Sequence, residues 1–168
     1  MKSNKMPIVC ITGRISFQKN PKLFNEIAEL LPQIKFIWIG EGELQSELKS
    51  SNIEVTGWVD RKSALELVAK ADFFILPSLW EGLPLSLLEA MYLKKICLVS
   101  DIIGNRDAIE NGRNGFICHT SDEYVQRINQ VLQNKCDRQS LTNQAHNDIL
   151  KLYNTDIMAA QYTKIYNQ

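Results

Sequence analysis

The sequence lacks the features that mark nucleic-acid-binding, membrane-spanning and secreted proteins. Its 168 residues carry 19 Lys+Arg against 19 Asp+Glu, so no net charge is available to attract nucleic acid or anionic lipid. No apolar run approaches the roughly 18 residues of a membrane span, and Arg14 stands where a signal peptide would still be apolar. These absences predict a cytoplasmic protein, either free or at the inner face of the membrane. They also predict that it has no nucleic-acid partner.

Cysteine pairs with the spacing of a metal site or a disulfide framework are also absent. The four cysteines are Cys10, Cys97, Cys118 and Cys136. None forms a C-x-x-C pair, and the first three fall in apolar runs, where free Cys behaves as a small hydrophobic residue. His119 and His146 are isolated from other metal-ligating residues in the sequence. We therefore expect a reduced protein that needs no metal and no cofactor.

Linkers, internal repeats and low-complexity segments are missing as well. The chain is 45% hydrophobic and 23% charged, which is typical of a soluble globular protein, and its length suits one core of ordinary size. We therefore predict a single domain over residues 1–168.

Short runs of β-forming residues alternate with helical stretches along the first 120 residues. The expected strands are 8–12, 34–39, 53–57, 72–77, 96–100 and 115–119, mostly apolar without alternation, as in strands buried on both faces. The expected helices between them are 21–31, 42–50, 61–71, 84–93 and 105–112. This alternation predicts an α/β fold: a doubly wound, Rossmann-like parallel sheet of about six strands with helices on both faces.

After Thr120 the pattern predicts helices only, over 122–134, 138–153 and 155–166. The last of these C-terminal helices carries an apolar stripe formed by Met158, Tyr162, Ile165 and Tyr166, at positions i, i+4, i+7 and i+8. Such an apolar stripe must pack against another surface, and two alternatives remain for that surface. It packs on the sheet of this domain or docks on a second domain.

The loops that follow the strands are where a doubly wound fold binds its ligands. The first, "GRISFQKN", places Arg14 and Lys19 just before a helix, where the two cations could clamp a diphosphate. The alternative is two solvated surface charges. The second, "GEGEL", fails the dinucleotide fingerprint because Gln45 occupies the third glycine position, so a nicotinamide or flavin cofactor is not expected.

The loop after the fourth strand opens the stretch "LPSLWEGLPLSLLEAMYL", residues 76–93. We predict Pro84 at the first helical position, where its missing N–H costs nothing. The amides of Gly82, Leu83 and Leu85 would then lie at the positive end of the helix, where free N–H groups suit phosphate oxygens. The segment therefore predicts an anion site.

Two carboxylates, Glu81 and Glu89, flank this helix start with seven residues between them. A carboxylate is a common acceptor for vicinal sugar hydroxyls, as in dinucleotide folds. Two structural explanations remain open: an acidic residue can balance the helix dipole, and Ser86 with Glu89 has the S-x-x-E spacing of a capping box.

These residues resemble the retaining glycosyltransferases of family four, which have the two-domain B-type fold and use nucleotide sugars. The resemblance extends from "GRISFQKNP" through "GWVDRKSALELVAKADFFILPSLWEGLPLSLLEAM" and "SDIIGNRDAIENGRNGFIC" to the closing "YNTDIMAAQYTKIY". The segment "PSLWEGLPLSLLEAM" fits the E-x(7)-E motif of the family, and "GRISFQK" fits its G-R-x(4)-K motif.

The resemblance implies a role for each of these positions in holding a sugar nucleotide. Arg14 and Lys19, on the loop that begins at Gly13, would hold the donor diphosphate with help from the backbone at Gly82 and Leu83. Glu89 would hold the nucleotide ribose and Glu81 would face the transferred sugar. The base would lie near Trp58 and Val59. Arg14, Lys19 and Glu81 are then the candidate catalytic residues.

The sequence departs from the family pattern around the fifth strand. Lys94 and Ile96 stand where a Gly and a Pro are usual, and Ile103 stands where the first Gly of a pair is common. Because Gly adopts positive φ readily at a helix C-terminus, Lys94 predicts a different cap for the helix that precedes it. Ile103 predicts altered contacts on the sugar side.

The resemblance implies transfer of a sugar, with retained configuration, from a nucleotide diphosphate sugar to a glycan or lipid-linked acceptor. A uridine-based donor is expected. The domain that supplies the acceptor site in this family has no counterpart in the chain, so we expect a partner domain or partner chain, and an isolated chain that binds donor without transferring it. Two alternatives stay open: a non-catalytic module that binds a nucleotide or a partner, and a domain like those of sugar-nucleotide epimerases.

Overall fold

A computed structural model describes residues 6–153 of the chain. Within this range six parallel strands form one sheet, which confirms the predicted α/β class. The strands are β1 Ile8–Thr12, β2 Lys35–Ile39, β3 Ile53–Val55, β4 Phe73–Leu76, β5 Ile96–Ser100 and β6 Phe116–Cys118. The predicted last helix, 155–166, and its apolar stripe lie outside the described residues.

The sheet order is β3-β2-β1-β4-β5-β6, the arrangement of the doubly wound nucleotide-binding folds. Val9 and Cys10 of β1 pair with Phe73 and Phe74 of β4, and this junction is where the strand order reverses. The crevice above the carboxyl ends of β1 and β4 is therefore the expected place for a ligand.

Six helices pack around the sheet within residues 6–153, and the last two follow the sixth strand. They are α1 Pro21–Leu30, α2 Arg61–Lys70, α3 Leu85–Tyr92, α4 Ile103–Arg106, α5 Ser121–Leu132 and α6 Arg138–Leu152. The first packs beside α5, whereas α3 packs with α2 and α6, so two groups of helices cover the two faces of the sheet.

An aromatic cluster links the first two strands to the helix between them. Phe24 of α1 meets the rings of Phe36 and Trp38 edge to face, with centroids 5.6 and 5.0 Å apart. The cysteines of β1, β5 and β6 are buried, as expected. Burial raises the pKa of the Cys10 thiol to about 12, so this thiol behaves as an apolar side chain.

The helix predicted over 42–50 is wrong. Only a short 3₁₀ turn, Gln45–Glu47, forms there. The backbone N–H groups of Lys49 and Ser50 donate instead to Oδ1 of buried Asn25, at 2.7 and 2.8 Å, and the N–H of Leu44 donates to the carbonyl of Ile15. Tertiary hydrogen bonds thus replace the helical ones.

The helix predicted over 105–112 is displaced and shortened to α4, Ile103–Arg106. The chain turns back after Glu110, where buried Asn114 accepts from the Glu110 N–H at 2.8 Å and donates to the Ala108 carbonyl at 3.1 Å. The side chain of Asn114 therefore satisfies backbone groups that a longer helix would have paired.

The prediction of a different cap at the end of α3 is also wrong. Lys94 adopts φ 56°, and the N–H groups of Lys94 and Lys95 donate to the carbonyls of Met91 and Ala90, both at 3.0 Å. This is the hydrogen-bond pattern of the Schellman motif that a Gly would make. The lysine adopts the left-handed conformation at a typical cost of about 1–2 kcal/mol.

Candidate active site

The loops after β1 and β4 meet above the point where the strand order reverses. The N–H of Leu79 donates to the carbonyl of Gln18 at 2.8 Å, and the Gln18 side chain donates to the carbonyl of Trp80 at 2.9 Å. The ring of Phe17, on the first loop, also contacts the ring of Trp80, on the second, with ring centroids 6.0 Å apart. The two loops that carry the sequence motifs are therefore fastened to each other.

A cleft of about 670 Å³ opens beside this junction, over the ends of β1, β2 and β3. Four of the predicted donor-binding residues line it: Gly13, Arg14, Trp58 and Val59. Trp58 is 75% exposed, so its indole offers an open apolar face beside the cleft. The structure thus brings Gly13 and Arg14, predicted for the diphosphate, into one cleft with Trp58 and Val59, predicted for the base, whereas Lys19, Gly82 and Leu83 are not among the lining residues.

Glycines shape the wall of this cleft by allowing two loops to touch. A Cβ at Gly40 would lie 2.3 Å from the carbonyl oxygen of Gly13, and a Cβ at Gly42 would lie 2.2 Å from that of Ile15. The indole N–H of Trp38 also donates to the Gly13 carbonyl at 2.8 Å. The glycines of "GEGEL" are therefore required for close approach of the two loops, which explains them without a dinucleotide fingerprint.

Lys19 and Glu81 form an ion pair next to the cleft. Nζ of Lys19 lies 2.6 Å from Oε1 of Glu81, and the two side chains are 14% and 9% exposed. The hydroxyl of Ser78 donates to the same Oε1 at 2.7 Å, whereas the other carboxylate oxygen receives, from the described part of the chain, only a 3.4 Å contact from Gln18. The lysine passes over Gly13, where φ is 134° and a Cβ would lie 3.3 Å from Cε of Lys19.

Arg14 is 76% exposed and pairs with Glu43 through Nε to Oε2 at 3.1 Å. The pKa of Glu43 is lowered, first by a hydrogen bond from its own backbone N–H and further by Arg14. An exposed pair of this kind is weak and exchanges easily with a stronger anion. The guanidinium can therefore turn toward a diphosphate.

The start of α3 differs in detail from the prediction. Pro84 is the N-cap, with φ −76° and ψ 92°, and the helix begins at Leu85, so the proline stands one position earlier than expected. Within residues 6–153 the N–H groups of Gly82, Leu83 and Leu85 donate to no protein group. These free amides keep the predicted anion-binding capacity of the helix start.

The backbone at the helix start is held in place by α4. A Cβ at Gly104 would lie 2.1 Å from the carbonyl oxygen of Gly82 and 2.6 Å from that of Glu81. Ile103, the residue that departs from the family pattern, precedes this contact and is exposed.

Glu89 is not among the residues that line the cleft. Its Oε1 accepts from NH2 of Arg61 at 2.6 Å and from Nε at 3.1 Å, and both residues line a second groove, of about 400 Å³, between α2, α3 and α6. The capping box with Ser86 does not form, since Ser86 lies inside the helix and the N-cap makes no side-chain hydrogen bond. One of the two structural explanations for Glu89 is thereby excluded.

Sequence reasoning missed several residues that hold this site. Gln18 and Ser78 bind Glu81, and Arg61 binds Glu89 across 28 positions of sequence. Ser78 precedes Glu81 by three residues on one tight loop, so its role was accessible from spacing. The contact between Arg61 and Glu89 could not be found in this way, because the two residues are far apart in sequence and share no local motif.

Metal-ligating side chains and long apolar helices bear on the expectations from composition. Within residues 6–153 there is no group of three or more His, Cys, Asp or Glu side chains placed to hold a metal ion. None of the helices in this range has the length and hydropathy needed to cross a bilayer.

Comparison with known proteins identifies the family. The family model for glycosyl transferases group 1 matches residues 2–148. The chain belongs to this family. Two bacterial members with lipid-linked substrates in their names are related to it in sequence, and both are longer than this chain.

The first relative is the UDP-Gal:alpha-D-GlcNAc-diphosphoundecaprenol alpha-1,3-galactosyltransferase of Escherichia coli. It is 35% identical over 130 residues, which cover 68% of this chain and 33% of that protein. The second is the N,N'-diacetylbacillosaminyl-diphospho-undecaprenol alpha-1,3-N-acetylgalactosaminyltransferase of Campylobacter jejuni, 31% identical over 98% of this chain and 46% of its own length. The chain therefore spans about a third to a half of these relatives.

Solved structures share the fold of this family member. The S. aureus protein TarM superposes with a TM-score of 0.85 at 22% identity, over 99% of this chain and 36% of TarM. Anabaena Alr3699/HepE, solved in complex with UDP-glucose, gives a TM-score of 0.84 at 19% identity over 96% of this chain and 49% of its own. At these identities the likeness establishes the fold.

Proposed function

We propose that this chain is the donor-binding part of a glycosyltransferase that takes its sugar from a uridine diphosphate sugar. One observation carries the proposal. In a chain that belongs to the glycosyl transferases group 1 family, Gly13, Arg14, Trp58 and Val59 share one cleft, with the Lys19–Glu81 pair beside it at the point where the strand order reverses.

The geometry suggests how a diphosphate would be held and released. Arg14 supplies a guanidinium fork from an exposed and exchangeable pair, Lys19 supplies a point charge, and the amides of Gly82 and Leu83 add uncompensated N–H groups. Charge develops on the diphosphate as the bond to the sugar breaks. Donors aimed at that position lower the barrier by electrostatic stabilisation, and this scheme requires no metal ion.

The uridine base and the lipid-linked acceptor are proposed from the relatives. The E. coli relative is named for a UDP-galactose donor and a diphosphoundecaprenol acceptor, and Alr3699/HepE was solved with UDP-glucose. We propose a donor of the same base, with Trp58 and Val59 along the base, Glu89 at the ribose and Glu81 at the transferred sugar. An acceptor linked to a membrane lipid would place the reaction at the cytoplasmic face of the membrane.

A second domain or chain is proposed to hold the acceptor. The chain spans about a third to a half of its relatives, and its cleft is open toward the carboxyl edge of the sheet. Without an opposite wall, water weakens each charge interaction and no acceptor is held near the reacting carbon. The 168 residues alone are therefore expected to bind donor and not to transfer its sugar.

Calorimetry and ligand-detected NMR test the first half of this proposal. The purified chain is titrated with uridine, guanosine and adenosine diphosphates, and uridine diphosphate is expected to bind most tightly. Absence of binding by all three nucleotides would overturn the assignment of the cleft to a nucleotide sugar.

Incubation with labelled uridine diphosphate sugars and a panel of acceptors tests the second half. No transfer by the isolated chain is the expected result. Efficient transfer would show that the chain holds a complete catalytic site, and release of free sugar without acceptor would favour the epimerase-like alternative.

A further inference from the structure

The Arg61–Glu89 pair joins two parts of the candidate site that are distant in sequence. Arg61 is the first residue of α2, directly after the loop that carries Trp58 and Val59, and Glu89 lies on α3 beyond the free amides of the helix start. The pair therefore connects the wall proposed for the base with the helix proposed for the diphosphate.

The first turn of α2 forms a ridge between the cleft and the second groove. Val59 and Ala64 line the cleft, whereas Arg61 lies on the groove side with Glu89. Asp60 is the N-cap of this turn and stabilises it. Its carboxylate accepts from the N–H of Ser63 at 3.1 Å and from the hydroxyl of Ser63 at 2.6 Å. These hydrogen bonds fix the backbone at Arg61, from which the guanidinium extends to Glu89.

Glu89 is bound through one oxygen only. Oε1 accepts both contacts from Arg61, at 2.6 and 3.1 Å, while Oε2 has no hydrogen-bond partner within residues 6–153. A carboxylate held by one oxygen keeps the lone pairs of the other for an incoming donor. A ribose hydroxyl is a donor of this kind.

The pair contributes little to folding, and this sets it apart from a structural salt bridge. The side chain of Arg61 is 80% exposed and that of Glu89 is 30% exposed, so solvent screens their attraction. A fork of two N–H groups on one carboxylate nevertheless restricts the orientation of that carboxylate. Orientation of Glu89 is therefore the property that Arg61 controls.

We infer that Arg61 is a positioning residue that holds Glu89 in place to accept a hydrogen bond from the donor ribose. The inference rests on the proposed function, since it needs a nucleotide that is bound in the cleft and whose ribose reaches past the first turn of α2 to Glu89, on the side of the second groove. It goes beyond that function by assigning to Arg61 the orientation of the carboxylate proposed for the ribose. Arg61 itself touches no part of the ligand in this scheme.

A coupling experiment between protein and ligand tests the inference. Uridine diphosphate and its 2′-deoxy and 3′-deoxy analogues are titrated into the unsubstituted chain, Arg61→Ala, Arg61→Lys and Lys62→Ala. Lys62 is the matched control, since it is the next residue, is exposed, and forms no ion pair within the described residues. The affinity for each analogue is measured by calorimetry.

In the unsubstituted chain and in Lys62→Ala, loss of one of the two ribose hydroxyls is expected to weaken binding by about 10-fold, the effect of a hydrogen bond to a charged group. In Arg61→Ala the same loss should cost about 3-fold or less, because Glu89 is no longer oriented. Arg61→Lys should restore part of the difference. A purely structural role for Arg61 would weaken all three nucleotides equally.

Two results would overturn the inference while leaving the proposed function intact. In the first, uridine diphosphate binds, and Arg61→Ala shows the same penalty for each missing hydroxyl as Lys62→Ala. In the second, Arg61→Ala binds uridine diphosphate more tightly, which would make Arg61 a competitor for Glu89. No binding of uridine diphosphate to the unsubstituted chain would instead overturn the proposed function, and the inference with it.

Discussion

Glu81 and Glu89, the two carboxylates of the E-x(7)-E motif, lie on one segment yet are held in opposite ways. The Glu81 side chain is buried and accepts from Lys19 and from Ser78, on two different loops. Glu89 is partly exposed and, within residues 6–153, accepts only from the guanidinium of Arg61. The motif therefore contains one carboxylate that belongs to the folded interior and one that belongs to the surface.

This difference separates stability from recognition within one motif. A buried ion pair becomes costly when one partner is removed, because the other charge is left without compensation. An exposed ion pair contributes little, because water replaces the lost partner. Substitutions around Glu81 should thus change both folding and binding, whereas substitutions around Glu89 should change binding alone.

The largest effect is expected from Lys19→Ala. This change leaves the buried carboxylate of Glu81 with the Ser78 hydroxyl as its principal donor, so the free energy of unfolding should fall by about 3 kcal/mol. Affinity for uridine diphosphate should fall by about 10-fold or more, through loss of a charged hydrogen bond, while uridine itself should bind as before. Urea denaturation and calorimetry measure the two effects.

Two variants show whether the unpaired charge causes the loss of stability at this position. Lys19→Ala combined with Glu81→Gln removes that charge and should recover at least half of the lost free energy of unfolding. Lys22→Ala is the matched control, because Lys22 is an exposed lysine three residues later with no ion pair within the described residues. A cost below about 1 kcal/mol for Lys19→Ala would place the pair with surface salt bridges.

Asp148 gives a reference for a buried carboxylate far from the cleft. Its side chain accepts from Asn114 at 2.8 Å, from Gln144 at 2.8 Å and from Arg113 at 2.9 Å. Asp148→Asn should lower the free energy of unfolding by about 2 kcal/mol at pH 7, through loss of charged hydrogen bonds. Binding of uridine diphosphate should not change. If Asp148→Asn weakened binding, the separation of the two regions would be wrong.

The same residue predicts a dependence on pH. Burial raises the pKa of Asp148, but the hydrogen bonds from Asn114, Gln144 and Arg113 outweigh burial and lower the pKa overall. A lowered pKa means that ionised Asp148 adds stability at pH values above the pKa of an Asp side chain in the unfolded chain, about 3.9. This contribution is lost as the pH falls through the pKa of Asp148 in the folded protein. The difference in the free energy of unfolding between wild type and Asp148→Asn should therefore shrink from pH 7 to pH 3.

The sheet could be predicted from the sequence because each strand carries its own signal. Apolar runs bounded by turn residues located all six strands, and the alternation with helices predicted their parallel pairing. The prediction over 42–50 was wrong because the side chain of Asn25, 24 residues earlier, binds the backbone N–H of Lys49. Local propensity contains no information about such a partner.

The candidate site could be predicted in part for the same reason. Gly13, Arg14, Trp58 and Val59 follow strands, and a parallel sheet gathers the loops after its strands at one edge, so their shared cleft follows from position. The pairing of each charge could not be predicted. Arg61 reaches Glu89 through the packing of α2 against α3, which the sequence of neither helix specifies.

A smaller effect is expected from Arg61→Ala on folding. The arginine is largely exposed, so the free energy of unfolding should change by no more than about 0.5 kcal/mol. Chemical denaturation of this variant beside Lys62→Ala makes the measurement. A loss above about 1.5 kcal/mol would show that the pair fastens α2 to α3, and Glu89 would then resemble Glu81 in its energetics.

The smallest effect on stability, with a clear effect on binding, is expected from Glu89→Gln. The Gln carbonyl can still accept from Arg61, and no capping box is present to be lost, so the melting temperature should stay within about 1 °C of wild type, a change of a few tenths of a kcal/mol. Affinity for uridine diphosphate should fall about 10-fold if a charged acceptor binds the ribose. Glu66→Gln, an exposed position on α2, is the matched control and should change neither quantity. A lower melting temperature with unchanged affinity would assign Glu89 a structural role and remove it from the site.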